Sequence, residues 1–242
     1  MSASTEVNAS VAVIPVRNEA AAIARVVQRV RSLGLAAIVV DDFSTDDTAA
    51  KASAAGARVL RLPFHAGSWM ATQTGLRAAV AAGFEFAVTL DGDGQHDPAD
   101  IPRLLDFWRR ADQQPSAVIG SFTARGNRRR KLAWRALRLL SGLQVADLTS
   151  GFRLYDRRAM ESLSGSDCTL LEYQDVGVLL HLHRQGLRLA EMEVRMSSRC
   201  HGQSRIFRSW RVVGHYLIYS ALISITRRGY GRSRGAATGD PG

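Results

Sequence analysis

Residues 88–98 read VTLDGDGQHDP, an apolar run that passes directly into three carboxylates, Asp91, Asp93 and Asp97. Asp-Gly and Asp-Pro pairs are typical of turns, so a solvated turn is one interpretation. A cation site is the other, because alternating oxygen ligands after a strand suit Mg²⁺ or Mn²⁺. An isolated Asp-x-Asp favours the turn. The choice therefore depends on what the rest of the chain places beside this stretch.

Short apolar runs alternate with helix-spaced segments through the first half of the chain. Strands are predicted at 11–14, 37–40, 58–62, 86–90 and 117–120. Helices are predicted at about 19–33, 44–55, 69–82 and 98–110, the second capped by Ser44 or Thr45. This β-α alternation with short connections predicts a mostly parallel sheet with helices on both faces.

After residue 120 the alternation weakens. Helices are predicted at 127–143, 170–185 and 206–226, a strand at 187–194, and a disordered basic tail at 227–242. The domain prediction is accordingly a catalytic domain at 10–205, an amphipathic helix at 206–226 and the tail at 227–242.

Ligands of such sheets bind beyond the carboxyl ends of the strands. Three segments follow predicted strand ends and are expected to line one crevice: Pro15–Glu19, Asp41–Asp42 and Asp91–Asp97. Two acidic clusters meeting there would repel each other without a cation, which favours the cation interpretation. His96 is compatible with a metal ligand, a general base or a structural histidine.

The formal net charge is +10, which indicates a polyanionic partner such as nucleic acid, anionic lipid or a phosphate-rich substrate. The first hundred residues are close to balanced, and arginines crowd the second half. A nucleic-acid-binding protein is one rival class. The basic segments lie outside the acidic crevice and few aromatic residues interleave with them, which disfavours that class.

Cys168 and Cys200 lack metal-site spacing, and residues 1–10 lack a signal-peptide pattern, so we expect a cytoplasmic protein.

Four motifs occur in a fixed order, namely PVRNE at 15–19, VVDD at 39–42, DGDGQ at 91–95 and TSGFR at 149–153. This ordered set resembles family 2 glycosyltransferases of the GT-A (Rossmann-like) fold over about residues 10–210. Within them the chain is most similar to dolichyl- or polyprenyl-phosphate sugar synthases. The chain departs from the family pattern at Trp69, where a glycine is common, and at Phe122, where an arginine is common.

The resemblance implies a role for each matching position. Nucleotide-sugar binding is implied for Pro15, Asn18, Glu19, Asp42, Asp91 and Gly92. Asp93 and Gln95 are implied to ligate Mg²⁺ or Mn²⁺ on the donor diphosphate. Gly67, Ala71 and Gly75 match a small-residue helix that follows the third strand.

The segment 199–205 reads RCHGQSR and resembles the phosphate-contacting loop of the polyprenyl-phosphate enzymes. Arg199, Ser204 and Arg205 are therefore implied to meet the phosphates of donor and acceptor. Other arginines near motifs are Arg130, Arg135 and Arg153, and the run at 128–131 is equally compatible with a solvated surface. A phosphate acceptor needs no strong base. Were the acceptor a hydroxyl, Asp175, Glu172 or His96 would have to deprotonate it, and otherwise Asp175 is expected to orient arginines or the sugar.

Two segments are amphipathic enough to lie on an anionic membrane. The segment 127–143 sets basic residues against Leu and Trp, and the apolar run at 212–225 has 14 residues. A membrane span needs about 20 residues, so the second segment is expected to lie on the inner face of the cell membrane or to pack on the core.

The expected function is an inverting, metal-dependent transfer of one sugar from a UDP- or GDP-sugar to a polyprenyl phosphate. The alternative is a transferase acting on a hydroxyl.

Overall fold

A computed structural model describes the chain over residues 3–122, 143, 145–169 and 176–196. Apart from Leu143, the described residues belong to one compact unit. The strands are β1 (Ser10–Val16), β2 (Ala36–Asp41), β3 (Arg58–Arg61), β4 (Phe86–Thr89), β5 (Ala117–Ser121), β6 (Arg153–Asp156) and β7 (Leu189–Glu193). The α-helices are α1 (Ala3–Asn8), α2 (Ile23–Ser32), α3 (Thr48–Ala54), α4 (Ser68–Ala81), α5 (Ile101–Arg110), α6 (Arg157–Ser164) and α7 (Val176–Arg184). Single 3₁₀ turns occupy Pro98–Asp100 and Ser166–Cys168.

The seven strands form one mixed sheet in the order β3-β2-β1-β4-β6-β5-β7. All neighbouring pairs are parallel except those made by β6, which runs antiparallel to both β4 and β5. The prediction of a mostly parallel sheet is therefore confirmed. β1 lies between β2 and β4, so the loops that leave these three strands emerge at one edge.

Helices cover both faces of the sheet, as predicted. Alternate residues of β1 point to opposite sides because successive side chains of a strand face opposite ways. Ala12 and Ile14 join a buried cluster with α2 and α5, whereas Val11 and Val13 join a second cluster with α4 and α6. Gly75 lets α4 approach the sheet closely, since a Cβ there would lie 2.3 Å from Val13 Cγ1.

Two predicted helix starts were wrong. α2 begins at Ile23 rather than Glu19, because the Glu19 carbonyl accepts hydrogen bonds from the Ala22 and Ile23 amides in a turn that precedes the helix. α3 begins at Thr48 with Asp47 at its N-cap position, so neither Ser44 nor Thr45 caps it as expected, and the Ser44 hydroxyl instead accepts from the Asn18 amide at 2.9 Å.

The strand β6 and the helix α6 were not predicted. β6 begins at the last residue of the TSGFR motif and lies beyond residue 120, where the β-α alternation that predicts the other strands has weakened. α6 is capped by Asp156, whose carboxylate accepts from the Ala159 amide at 2.8 Å. The position of β6 between β4 and β5 gives the sheet its mixed character.

The remaining predicted elements lie outside the described residues. These are the helix at 127–143 except for its last residue, the first part of the helix at 170–185, the helix at 206–226 and the tail at 227–242. In the part of the chain that the structure describes, no helix is both long and apolar enough to cross a bilayer.

Candidate active site

The three predicted segments meet at one edge of the sheet. β1 pairs in parallel with β2 through Val16 and Asp41, and with β4 through Val13 and Thr89. The segments that follow them therefore leave side by side. This confirms that 15–19, 41–42 and 91–97 share the carboxyl edge. We call this edge the crevice.

Hydrogen bonds fasten the loop after β1 to the loop after β2. The Asn18 amide donates to Ser44 Oγ at 2.9 Å, and Asn18 Oδ1 accepts from the Thr45 amide at 2.9 Å. The Glu19 amide donates to Thr48 Oγ1 at 2.9 Å. Asn18 has a φ of 55°, a left-handed conformation that Asn tolerates better than most residues. The two loops are thus one hydrogen-bonded unit.

Asp46 strengthens this unit. Its carboxylate accepts from the Ala20 amide at 3.3 Å, from the Thr48 amide at 3.0 Å and from the Thr48 hydroxyl. Burial acts to raise the pKa of Asp46, but the hydrogen bonds from Thr48 and Ala20 outweigh it and lower the pKa below 3.8. The ionised carboxylate is the form that holds the loops together.

The carboxylates of the acidic pair at the end of β2 contact other groups of the chain. Asp41 Oδ1 accepts from the Ser44 amide at 3.1 Å, and its Oδ2 lies 3.1 Å from Arg61 Nε, in ion-pair range although not aligned for a hydrogen bond. Asp42 accepts from the amides of Ala66 and Gly67 at 2.7 and 3.0 Å and lies 2.6 Å from His65 Nδ1. These contacts hold the pair within the chain, and the expectation that a cation offsets the repulsion between this pair and the acidic stretch after β4 stays a prediction. The contact of Asp42 with the base or ribose stays a prediction.

The DGDGQ stretch is a tight turn at the end of β4. Asp93 Oδ1 accepts from the Gln95 amide at 3.0 Å, and Gly94 adopts a φ of 77°. Gly92 lies against β1, since a Cβ there would come within 2.4 Å of Val16 Cγ1. Asp93 and Gln95 are both buried with 7% of their surface exposed. The turn interpretation and the cation interpretation are thus compatible, because the turn places two oxygen-bearing side chains together.

Asp91 differs from its neighbours because its side chain is 39% exposed. Its Oδ2 lies 3.8 Å from Nδ1 of His96, which is beyond hydrogen-bond distance. The Asp91 amide donates to the same Nδ1 at 3.2 Å. Because an amide can only donate, Nδ1 accepts, and the neutral ring then carries its proton on Nε2. His96 is buried and stacks on Phe152 with ring centroids 5.3 Å apart. These contacts support the structural-histidine alternative.

The donor set of this turn suits a hard divalent cation, because carboxylate and amide oxygens are the ligands that Mg²⁺ and Mn²⁺ prefer. Among the described residues, no cluster of three or more His, Cys, Asp or Glu side chains is arranged to hold a metal. Asp93 and Gln95 alone supply too few ligands for a six-coordinate ion. A cation bound here would therefore need oxygen atoms from a substrate as well.

Asp97 begins the next helical segment, as predicted. Its Oδ1 accepts from the Ala99 amide at 2.9 Å at the start of the 3₁₀ turn, and Arg29 of α2 donates to the same oxygen at 2.6 Å.

The chain that leaves β7 crosses the acidic turn. Met196 forms an isolated antiparallel bridge with His96, and the Arg195 amide donates to Asp100 Oδ2 at 3.1 Å. The sequence offered no sign of this role for Asp100. The segment with Arg199, Ser204 and Arg205 follows in the sequence and, like Asp175 and Glu172, lies outside the described residues.

The TSGFR segment packs against the ends of β4 and β5. Thr89 Oγ1 donates to the Gly151 carbonyl at 2.8 Å, and Ser150 Oγ donates to the Gly120 carbonyl at 2.5 Å. Arg153, named above among the arginines near motifs, is only 2% exposed, and its guanidinium contacts the Tyr155 hydroxyl and the Leu148 carbonyl. Its described contacts are thus those of a core residue that holds β6 to this segment.

Trp69 also has a structural explanation. It is buried, and its indole nitrogen donates to the Cys168 carbonyl at 2.6 Å. The bulky residue at this departure from the family pattern therefore ties α4 to the 3₁₀ turn at Ser166–Cys168 on the far side of the sheet from α2.

The mixed sheet with an acidic turn at the end of its central strand is a GT-A-like fold, the fold of the solved structures that the chain matches. A sequence profile described as Glycosyl transferase family 2 matches residues 11–164. The chain belongs to this family and is a glycosyltransferase.

Curated relatives point the same way. An undecaprenyl-phosphate mannosyltransferase of Micrococcus luteus is 30% identical over 211 residues, which cover 79% of this chain and 81% of that protein. A polyprenol monophosphomannose synthase of Mycolicibacterium smegmatis is 30% identical over 169 residues, covering 62% and 63% of the two chains.

The fold is also that of glucosyl-3-phosphoglycerate synthase from Mycobacterium tuberculosis. Its complex with UDP matches with a TM-score of 0.68 at 24% identity, covering 93% of this chain and 84% of that one. The same enzyme has been crystallised with UDP and either Mn²⁺ or Mg²⁺.

Proposed function

We propose that this glycosyltransferase transfers one sugar from a UDP- or GDP-sugar to a polyprenyl phosphate, with inversion at the sugar's C1 and with Mg²⁺ or Mn²⁺. The two curated relatives described above are named for transfer to polyprenyl phosphates, and that supports the acceptor class. The reaction would take place at the inner face of the cell membrane.

The nucleoside would be bound by the unit formed by the loops after β1 and β2. Pro15, Asn18 and Glu19 lie on the first loop, and Asp42 lies at the end of β2. The hydrogen bonds between the loops support this assignment, because a preorganised site loses little entropy on binding.

The donor diphosphate would lie over the acidic turn, which Gly92 allows to pack closely against β1. Asp93 and Gln95 would hold the cation together with phosphate oxygens, and Asp91 would lie beside the sugar. The bound cation would offset the charge that develops on the departing nucleoside diphosphate. Support comes from the turn itself, which brings two buried oxygen-bearing side chains together at the edge where ligands bind.

One observation carries the acceptor assignment: the segment leaving β7 is bridged to the acidic turn between Met196 and His96. Arg199, Ser204 and Arg205 follow at 3, 8 and 9 residues beyond Met196 in the sequence. We infer that they reach the phosphates of donor and acceptor, because Arg pairs with phosphate through charge-assisted, often bidentate hydrogen bonds.

The proposed chemistry needs no strong base. A phosphate oxygen of the acceptor would attack C1 while the bond from C1 to the nucleoside diphosphate oxygen breaks, and no proton has to be removed first. The structure of His96 supports this route, because its Nδ1 accepts from a backbone amide. Asp175 would orient arginines or the sugar.

We further propose that residues 10–205 form the catalytic domain and that 127–143 and 206–226 lie on an anionic membrane surface, followed by a basic tail at 227–242. The Lys and Arg residues between 128 and 138 support this for the first segment, since each of them near such a surface contributes about 1 kcal/mol. For the second segment the support is Trp210, Tyr216 and Tyr219, because such residues suit a membrane interface. Flotation with phosphatidylglycerol vesicles would test it. Equal flotation with uncharged phosphatidylcholine vesicles, or none with either, would contradict it.

An extraction assay tests the substrates. Purified protein is incubated with polyprenyl phosphate, Mn²⁺ and a panel of labelled UDP- and GDP-sugars, and label is then counted in the organic phase. We expect one nucleotide-sugar to label the lipid. The matched control is the same polyprenol without its phosphate, which should stay unlabelled. Label that reaches only water-soluble hydroxyl acceptors would reject the acceptor, and transfer that persists in excess EDTA would reject the metal.

A further inference from the structure

Phe43 has an unusual backbone and an unusual exposure. Its φ is 61°, in the left-handed region where a bulky side chain is strained. Its ring is 46% exposed, although it directly follows the buried pair Asp41–Asp42. Strain of this kind persists only where the surrounding structure imposes it, and it concentrates at functional sites.

The surrounding structure does impose it. The Asp42 amide donates to the Val16 carbonyl at 2.8 Å, and the Ser44 amide donates to Asp41 Oδ1 at 3.1 Å. Arg61 donates to the Ser44 carbonyl at 3.0 Å. The residues on both sides of Phe43 are thus fixed, so that its side chain is held out into solvent.

The position of Phe43 in the fold is also informative. Across the described residues, the only other non-glycine residue with a positive φ is Asn18. Asn18 and Phe43 lie on the two loops that the Asn18–Ser44 and Asn18–Thr45 hydrogen bonds join. Both strained residues therefore belong to the unit assigned above to the nucleoside.

We propose that the Phe43 ring stacks on the base of the nucleotide donor and fixes its position at the crevice. The inference rests on the proposed function. A nucleobase is the flat part of that donor, and an exposed aromatic ring with no hydrogen-bonding group is suited to stack on it. Because every base has a π-face, Phe43 contributes affinity for purine and pyrimidine nucleotides alike. Base identity is then read by other groups of the unit.

Binding measurements on matched variants test this. Calorimetry with Mn²⁺ compares UDP, GDP and inorganic pyrophosphate on wild type, Phe43→Asn, Phe43→Gly and Phe43→Tyr. Asn and Gly tolerate a positive φ, so their melting temperatures should equal or exceed that of wild type. We expect Asn and Gly to weaken UDP and GDP binding about 10-fold, in line with the loss of one base–aromatic contact. Pyrophosphate binding should not change, and Tyr should restore nucleotide binding.

The control is Phe64→Ala, which removes the other large exposed aromatic of the described residues, 65% exposed. It should leave nucleotide binding unchanged. In the transfer assay, Phe43→Gly should raise KM for the nucleotide-sugar and leave kcat unchanged, because stacking is equal in the ground state and the transition state.

The outcomes separate this inference from the proposed function. If wild type binds UDP or GDP and Phe43→Gly binds it equally well, the stacking role is wrong and the function stands. The same holds if Phe43→Gly weakens vesicle flotation but not nucleotide binding, since the ring would then contact lipid. If wild type binds no nucleotide, both fail.

Discussion

Two acidic stretches at the same edge of the sheet look alike in the sequence but are built differently. The Asp41–Asp42 pair after β2 is buried and its carboxylates are occupied by Ser44, Arg61 and the loop at 65–67. After β4, the Asp91 side chain is 39% exposed, and its Oδ2 lies 3.8 Å from His96 Nδ1. The carboxylates of the first stretch hold together the loops that are proposed to bind the nucleoside, whereas the Asp91 carboxylate of the second stretch is partly exposed. The two stretches thus divide into one whose oxygens are bound within the chain before any ligand arrives and one that keeps an exposed carboxylate.

The largest effect is expected from Asp93→Asn, which keeps the shape of the turn and removes a charge. If the β4 stretch is the site, sugar transfer should fall by roughly 10³-fold, because several kcal/mol of transition-state stabilisation depend on the cation. The melting temperature should stay near that of wild type. Transfer is measured by label in the organic phase.

The matched control is Asp97→Asn, in the same stretch but outside the proposed site. It loses the ion pair with Arg29 and should keep nearly full activity. Full activity of Asp93→Asn would show that sugar transfer does not depend on the charge of this residue, and the two stretches would then no longer differ in function.

The next effect contrasts Asp42→Asn with Asp91→Asn, the same substitution in each stretch. Asp42 accepts two backbone amides and contacts His65, so replacing one of its oxygens by an NH₂ group should cost about 1–3 kcal/mol of unfolding free energy. Both variants should lower transfer, because Asp42 is proposed to contact the nucleoside and Asp91 to lie beside the sugar, but Asp91→Asn should change the unfolding free energy little. Urea titration separates the two, and the transfer assay measures the loss of activity in each. Equal losses of stability in both variants would contradict the division.

Much of this division could not be read from the sequence. The alternation of apolar runs and helical spacing predicts that PVRNE, Asp41–Asp42 and DGDGQ meet at one edge of the sheet, because parallel strands have their carboxyl ends at the same edge. Side-chain partners depend on contacts between distant loops, such as Asn18 with Ser44. The sequence therefore could not show that Asp42 is occupied, that Phe43 is strained, or that Arg153 is buried. β6 was missed because it lies beyond residue 120, where the β-α alternation weakens, whereas β3 and β4, of equal length, lie within that alternation.

A smaller effect is expected at Gly92, where the acidic turn packs against β1. In Gly92→Ala the new Cβ would lie 2.4 Å from Val16 Cγ1, so the turn or β1 must shift at a cost of about 1–3 kcal/mol. Transfer should fall together with stability. The double variant Gly92→Ala/Val16→Ala removes the obstructing methyl group and should recover part of both losses, measured as a coupling free energy in a double-mutant cycle. Strict additivity would show that the two residues do not press on each other.

The smallest expected effect concerns pH and the loops after β1 and β2. The pKa of Asp46 is lowered below 3.8, so its contribution to stability is present above pH 3.8 and is lost as pH falls through the folded-state pKa. Asp156, at the start of α6, is the contrast: burial raises its pKa above 3.8 despite the hydrogen bonds from Ala159 and Ser116. Its contribution is present below pH 3.8 and is lost as pH rises through the folded-state pKa.

Urea titrations of wild type, Asp46→Asn and Asp156→Asn across pH 3 to 6 should therefore give slopes of opposite sign. The stability advantage of wild type over Asp46→Asn should shrink as pH falls below 3.8, whereas its advantage over Asp156→Asn should shrink as pH rises above 3.8. Only the Asp46 effect should be accompanied by weaker nucleotide binding, because Asp46 joins Ala20 to Thr48 across the two loops while Asp156 caps a helix. If Asp46→Asn binds nucleotide as tightly as wild type at neutral pH, the loops hold their arrangement without that carboxylate. The nucleoside unit would then rest on its other cross-loop hydrogen bonds, which include those of Asn18, Glu19 and Lys51.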